Sequence, residues 1–407
     1  MFRQKYSLLT LLLFVTSLQI PAAAETIKIE AGEYDRIGVP VRCELSGDIT
    51  ANPRLLLISK DTKQKIPTQI DWSSDKPKLC WMLEQPLYAG ENRTYLVVPA
   101  DNNPQPLPQV RAERRHGAIK VLLGKTPVLE YNVDIRPSPV ESPSYYARSG
   151  FIHPIYDPAG NILTDDFPPD HYHQHGIMFP YKKTLFRGEF VNFWEQSARL
   201  GDVFHQDVVT TITGPVYGGF ICKLDHIAFP KTEKQTTVLN EVWQVKVYKT
   251  KSIFLVDFLS HQRCATDQPL LIQQNHYGGF AIRGRRNWSE GGDFLTSEGK
   301  SKTNGNHTRP NWVDIYGPVP SAESATLSGF AVLGHPDNFQ APQPVRLHPS
   351  MPYYCFAPMV LGDFKIKPGH VFTSRYRFVI HLGKAQPNEI TRFYDDYANP
   401  IKVTFEK

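Results

Sequence analysis

Gln235-Thr236-Thr237-Val238-Leu239-Asn240-Glu241-Val242-Trp243-Gln244-Val245-Lys246-Val247-Tyr248 is the stretch on which the fold turns. Side chains of an extended chain alternate between faces, so Leu239, Glu241, Trp243, Val245 and Val247 share one of them. The pattern predicts a long strand with one buried face, and a carboxylate, Glu241, interrupts that apolar row. Stretches of the same kind lie on either side, at 208–213, 220–229, 252–260, 269–277 and 372–382, with no helical period between them. Long strands joined without helices indicate a large antiparallel assembly. An aromatic content of 12%, with 34 Pro and 27 Gly, suits many strands closed by turns. The predicted class is all-β.

Upstream, residues 25–108 read as a small β-sandwich of short strands, for example 26–30, 54–58, 79–83 and 94–98. A Pro- and Asn-rich linker over 99–108 closes it. Residues 109–407 form the large domain, with a hairpin around Gly124 and a long surface loop over 285–310 of the kind that often serves as a lid. Only 387–398 has a helical pattern, with Ile390, Phe393, Tyr394 and Tyr397 on one face behind Asn388 as cap.

Arg3 and Lys5, an apolar run over 8–18 and Ala22-Ala23-Ala24 read as a secretory signal over 1–24, so a periplasmic or secreted product is expected. No later stretch approaches the roughly twenty apolar residues of a transmembrane helix. The net charge is +5, and 5 − 2 = +3 without Arg3 and Lys5, too small an excess for a nucleic-acid partner. Of the five cysteines, Cys43 and Cys80 lie on strands of one small domain of an exported chain and are the plausible disulfide. Cys222, Cys264 and Cys355 read as free thiols.

Chemistry concentrates in Asp170-His171-Tyr172-His173-Gln174-His175-Gly176, which holds three of the fourteen histidines at spacings of two. If this segment is extended, the three imidazoles share a face, as a catalytic edge or a metal site requires. A proline-stiffened acidic approach, 165–170, and an apolar exit, 176–180, suit a pocket wall.

Together with Ser149-Gly150-Phe151-Ile152-His153-Pro154, Asp165-Asp166-Phe167-Pro168, Phe193-Trp194, the run from His276 to Gly284, Trp312-x-Asp314 and His335-Pro336-x-Asn338, this segment resembles the family commonly labelled methane oxygenase PmoA-like. The resemblance covers roughly 117–398. Tyr172 and Gln174 stand where the family usually has proline and histidine. The resemblance implies an exported bacterial protein whose large domain is similar to the galactose-mutarotase-like β-supersandwich of many sugar-acting enzymes. The label borrows the name of a membrane copper oxygenase subunit, which a chain without a transmembrane helix cannot be.

Three readings of function follow. In the first, the partner is a carbohydrate, and His171, His173, His175, Glu195, His276 and His335 supply acid/base groups for hydrolysis, elimination or epimerisation. Trp194, Tyr277, Trp312, Arg283, Asp314 and Asn338 would then hold the sugar. In the second, a divalent ion, copper, zinc or iron, sits on His171, His173 and His276, with His335 or Asp170 as further ligands. The third is a glycan-binding protein without catalysis. No cofactor is required by the first or the third.

Overall fold

The computed structural model describes residues 25–45, 55–73, 76–100, 107–320 and 326–406. The signal stretch and the centre of the linker lie outside the described residues.

The stretch that opened the sequence reading is the strand Thr236–Tyr248. It pairs antiparallel with Tyr217–Ala228 on one side and Phe254–Cys264 on the other. The sheet continues through Phe372–Leu382, Leu327–Gly334, Trp312–Pro318 and Asp293–Thr296, with Gly201–Ile212 at its other edge, making eight strands. A second eight-stranded sheet runs from Val345–Leu347 to Val110–Arg115. The two share one apolar core. Trp243 shows how they meet: its ring lies edge-on to Phe258 of its own sheet at 4.9 Å and to Tyr131 of the facing sheet at 5.9 Å. Burying such large rings on both inner faces is the main stabilising term for this sandwich. All-β architecture with a short C-terminal helix, Pro387–Ala398, is the observed fold.

Three local expectations change. The stretch 285–310 is not a free lid, because Arg286–Ser289 forms a helical turn and Asp293–Thr296 adds an edge strand, with Phe294 buried against Tyr354 at 5.6 Å. Gln386, not Asn388, precedes the helix, and Pro387 takes its first turn; the cap is a backbone bond from Ile390 N–H to the Gln386 carbonyl, with no side chain involved. All five cysteines are free. In the pair Val39–Glu44 and Lys78–Leu83, Cys43 stands opposite Leu79 and Cys80 opposite Arg42. That register turns the two thiols to opposite faces, which prevents a bridge.

The N-terminal strands form a five-stranded and a three-stranded sheet. The chain's last strand, Lys402–Glu406, pairs with Glu25–Glu30, so the small sandwich is completed from the far end of the sequence and a cut at 108 divides it. Its core is continuous with Tyr217, Tyr248, Leu255, Trp312 and Val379 on the outer face of the long sheet and with Ile390 and Phe393 of the helix. The buried Arg36 Nη1 reaches Asp396 Oδ1 at 2.9 Å and the Asn399 carbonyl at 2.7 Å. Arg36→Ala removes the hydrogen-bonding partner of the buried Asp396 and leaves it the longer ion pair to Arg392 at 3.6 Å. A loss of about 3 kcal/mol or more is expected in urea unfolding, and a loss below about 1 kcal/mol, the range of an exposed pair, would show that solvent reaches the site.

Candidate active site

Residues 171–175 are not a strand. Pro168 and Pro169 cannot donate to a ladder, and the chain turns instead: His171 N–H bonds the Pro168 carbonyl and Gln174 N–H bonds the His171 carbonyl, each at 2.9 Å. Phe167 takes a left-handed φ of 47°, rare for a bulky residue, and its ring is fixed edge-on to His175 at 4.6 Å. Gly176 runs so close to the facing strand that a Cβ would lie 2.2 Å from the Ile152 carbonyl oxygen. The turn therefore splits the three histidines. His171 and His173 face a cavity, while His175 is driven inward, stacked on Phe151, with Nδ1 2.5 Å from Asp166. Burial holds both members of that inner pair toward their neutral forms, lowering His175 well below its usual range and raising Asp166 to about 7.

The cavity measures about 290 Å³ and is lined by Tyr146, Tyr172, Trp194 and Tyr277 together with Asp170, His171, His173, Gln174, Lys182 and Glu195. His173 lies 6.1 Å from Trp194 between ring centres, and Trp194 is 6.2 Å from Tyr277. Arg283 supports the loop from beneath. It is buried, and it donates to Gln174 Oε1 at 2.8 Å and Asp170 Oδ1 at 3.1 Å. Its expected contact with substrate is thereby replaced by a role in positioning. Two larger hollows, about 490 Å³ in the N-terminal sandwich and about 500 Å³ beside 144–147, hold none of the expected site residues.

Electrostatics separate the cavity groups. Burial, with help from neighbouring His171 and His175, lowers His173 to about 3. It is an uncharged imidazole at neutral pH, with a free lone pair but no proton to spare as an acid. Burial raises Asp170, yet Arg283 and His171 outweigh it and leave this carboxyl below its usual range. Glu195 is the less constrained carboxylate, 3.7 Å from Lys182 Nζ and accepting from Ser197 Oγ at 3.1 Å.

Several expected residues lie elsewhere. His335 packs edge-on against Tyr397 of the C-terminal helix at 4.9 Å. Asn338 holds Arg375 from both sides, donating to its carbonyl at 2.8 Å and accepting its N–H at 2.7 Å. Asp314 is buried against His381 Nε2 at 2.9 Å, and Trp312 donates to Thr391 Oγ1 at 3.2 Å between the long sheet and the helix. His335 and Trp312 join the long sheet to the helix, while Asp314 and Asn338 bond within that sheet and at its end. His276 is exposed at the rim, 4.4 Å from the Tyr277 ring, without lining the cavity. Among the described residues no three His, Cys, Asp or Glu side chains come together in a metal-holding set, so His171, His173 and His276 do not make one. Tyr146 and Lys182 were missed. Each is one tyrosine or lysine among many, and only adjacency to the motifs at 149–154 and 176–180 singled them out.

In backbone the chain is remotely similar to GH36 alpha-galactosidase AgaB from Geobacillus stearothermophilus, at a TM-score of 0.30 and 9% identity, over 68% of this chain and 40% of that one. GH36 alpha-galactosidase AgaA from the same organism gives a TM-score of 0.30 and 9% identity, over 66% and 40%. The chain thus spans about two fifths of the length of these enzymes. No curated protein matches the sequence. Residues 118–395, the sandwich with its cavity and most of the helix, match a family of unknown function (DUF6807), and the chain belongs to that family.

Proposed function

We propose that this is an exported carbohydrate-active enzyme whose site is the cavity of His171, His173 and Glu195. The observation that carries the reading is the meeting, in one cavity, of an aromatic wall, a buried neutral imidazole and a carboxylate. Tyr277, half-buried and packed on the buried Trp194, offers an apolar ring to a sugar, and Gln174, Tyr146 and Tyr172 offer hydrogen bonds to hydroxyls.

Within sugar chemistry, proton abstraction fits better than hydrolysis. A glycosidase needs one carboxylic acid able to donate and a second carboxylate opposite it. Here the second carboxyl, Asp170, has both oxygens engaged, by Arg283 and His171, and is not free to act opposite Glu195. Glu195 can instead act as base on a carbon-bound proton, with the neutral His173 imidazole beside it to hydrogen-bond the adjacent substrate oxygen, as elimination or epimerisation requires. The metal-dependent reading implied by the PmoA-like resemblance lacks a gathered set of ligands and is not developed. A signal over 1–24 places the protein in the periplasm or outside the cell in this proposal.

The test is a screen of oligosaccharides and keto-sugar glycosides against the purified protein, followed by Glu195→Gln. Turnover of a saccharide should fall on the order of a hundredfold in the variant with binding kept. Binding without turnover in the unmutated protein would instead leave a glycan-binding protein.

A further inference from the structure

The cavity and its rim contain three cations and two carboxylates, and pairing them leaves one cation over. Arg283 is matched by Asp170 at 3.1 Å, and Lys182 by Glu195 at 3.7 Å. Arg346 stands over the Tyr277 ring at 5.3 Å. Its contacts are all neutral: it donates to Asn306 Oδ1 at 3.2 Å, to the Leu347 carbonyl at 2.8 Å and to Tyr277 Oη at 3.3 Å. Its Nε is buried with no hydrogen-bond partner among the described residues. Lys182 and Arg283 each have a salt bridge, and among the described residues Arg346 has none. A half-buried guanidinium without a counter-ion is an unfavourable arrangement that an anion relieves.

The surroundings add to the same sign. Lys182 Nζ lies 5.1 Å from the centre of the same Tyr277 ring. His276 and His307 stand side by side at 6.3 Å next to it. His348 receives the Met351 N–H on Nδ1 at 3.1 Å, and Arg346 adds to burial in keeping it uncharged, down to about 4. The histidines thus leave the charge of Arg346 unopposed, and the nearest carboxylates are engaged elsewhere.

Resting on the carbohydrate reading of this cavity, we infer that its ligand is an acidic sugar, whose carboxylate or sulfate is received by Arg346 at the Tyr277 rim while the ring lies against Tyr277. A guanidinium presents paired N–H groups that match either anion, so both are instances of the one chemistry.

The experiment is calorimetric titration with glycans in matched pairs: uronate oligosaccharides against their carboxyl-reduced counterparts, and sulfated oligosaccharides against desulfated ones. The acidic member of one pair should bind about tenfold tighter or more, a margin typical of one charge-assisted contact. Arg346→Gln should abolish that preference with little effect on the neutral member, and Arg346→Lys should keep part of it. In the unmutated protein, raising NaCl from about 0.05 to about 0.5 M should weaken the acidic member alone, a measurement that does not depend on a variant folding. Neutral members binding as tightly as acidic ones would overturn this inference and leave the carbohydrate reading standing. Failure of every glycan to bind would overturn both.

Discussion

His173→Gln is expected to keep the fold and lower turnover of a saccharide on the order of a hundredfold or more. Glutamine approximates the size of the imidazole but cannot place a ring N–H and a lone pair where the neutral imidazole has them. Among the described residues no side chain hydrogen-bonds His173, which lines the cavity, and burial keeps it neutral down to about pH 3. The same property has a signature in stability. Its folded pKa lies below the unfolded value of about 6.5, so the unfolded chain binds the proton more readily between these values. Stability contributed by the neutral imidazole is therefore full above about pH 6.5 and is lost as pH falls toward 3. The glutamine variant should lose less stability than the parent over that window. Unchanged kcat, together with an unchanged acid-unfolding profile, would remove His173 from both roles.

Glu241→Ala should be the most destabilising single change in the large domain, by about 3–5 kcal/mol in denaturant unfolding. Glu241 is fully buried and is held by His226 Nε2 at 2.8 Å, Ser260 Oγ at 2.5 Å and Gln262 Nε2 at 3.0 Å. Removing it leaves three polar groups unpaired in a low-dielectric core, which costs more than the lost packing of a side chain. The effect should reach the cavity as well. Gln262 accepts from Tyr181 Oη at 2.6 Å, and the Tyr181 carbonyl accepts the Phe193 N–H at 2.9 Å, so this network fixes the backbone next to both Lys182 and Trp194. Glu241→Gln, which keeps an acceptor, should be markedly milder. Equal losses for the two variants would mean that shape rather than hydrogen bonding sets the cost.

Much of this was legible in the chain. The alternation around Trp243 predicted the central strand of the long sheet and marked Glu241 as a carboxylate on an apolar face. The helix over 387–398 followed from its one-sided apolar pattern. These features depend on neighbours a few residues away, where side-chain period and steric bulk act directly. Residues 170–174 of the motif line a cavity, but the extended conformation expected for it is not found, because paired prolines and the Arg283 guanidinium from a distant strand impose a turn on a segment whose own spacing suits a strand.

The sequence by itself determined that this is an all-β chain with a short terminal helix and where its long strands lie. Only the tertiary structure decided that Trp194, Glu195 and Tyr277 join His171 and His173, that His335, Trp312, Asp314 and Asn338 lie elsewhere, and that Lys402–Glu406 completes the first sheet. The physical reason is range. Periodicity reports which face of an element is buried, whereas which polar side chains share a cavity depends on how two sheets from distant parts of the chain pack and pair, and no local pattern carries that information.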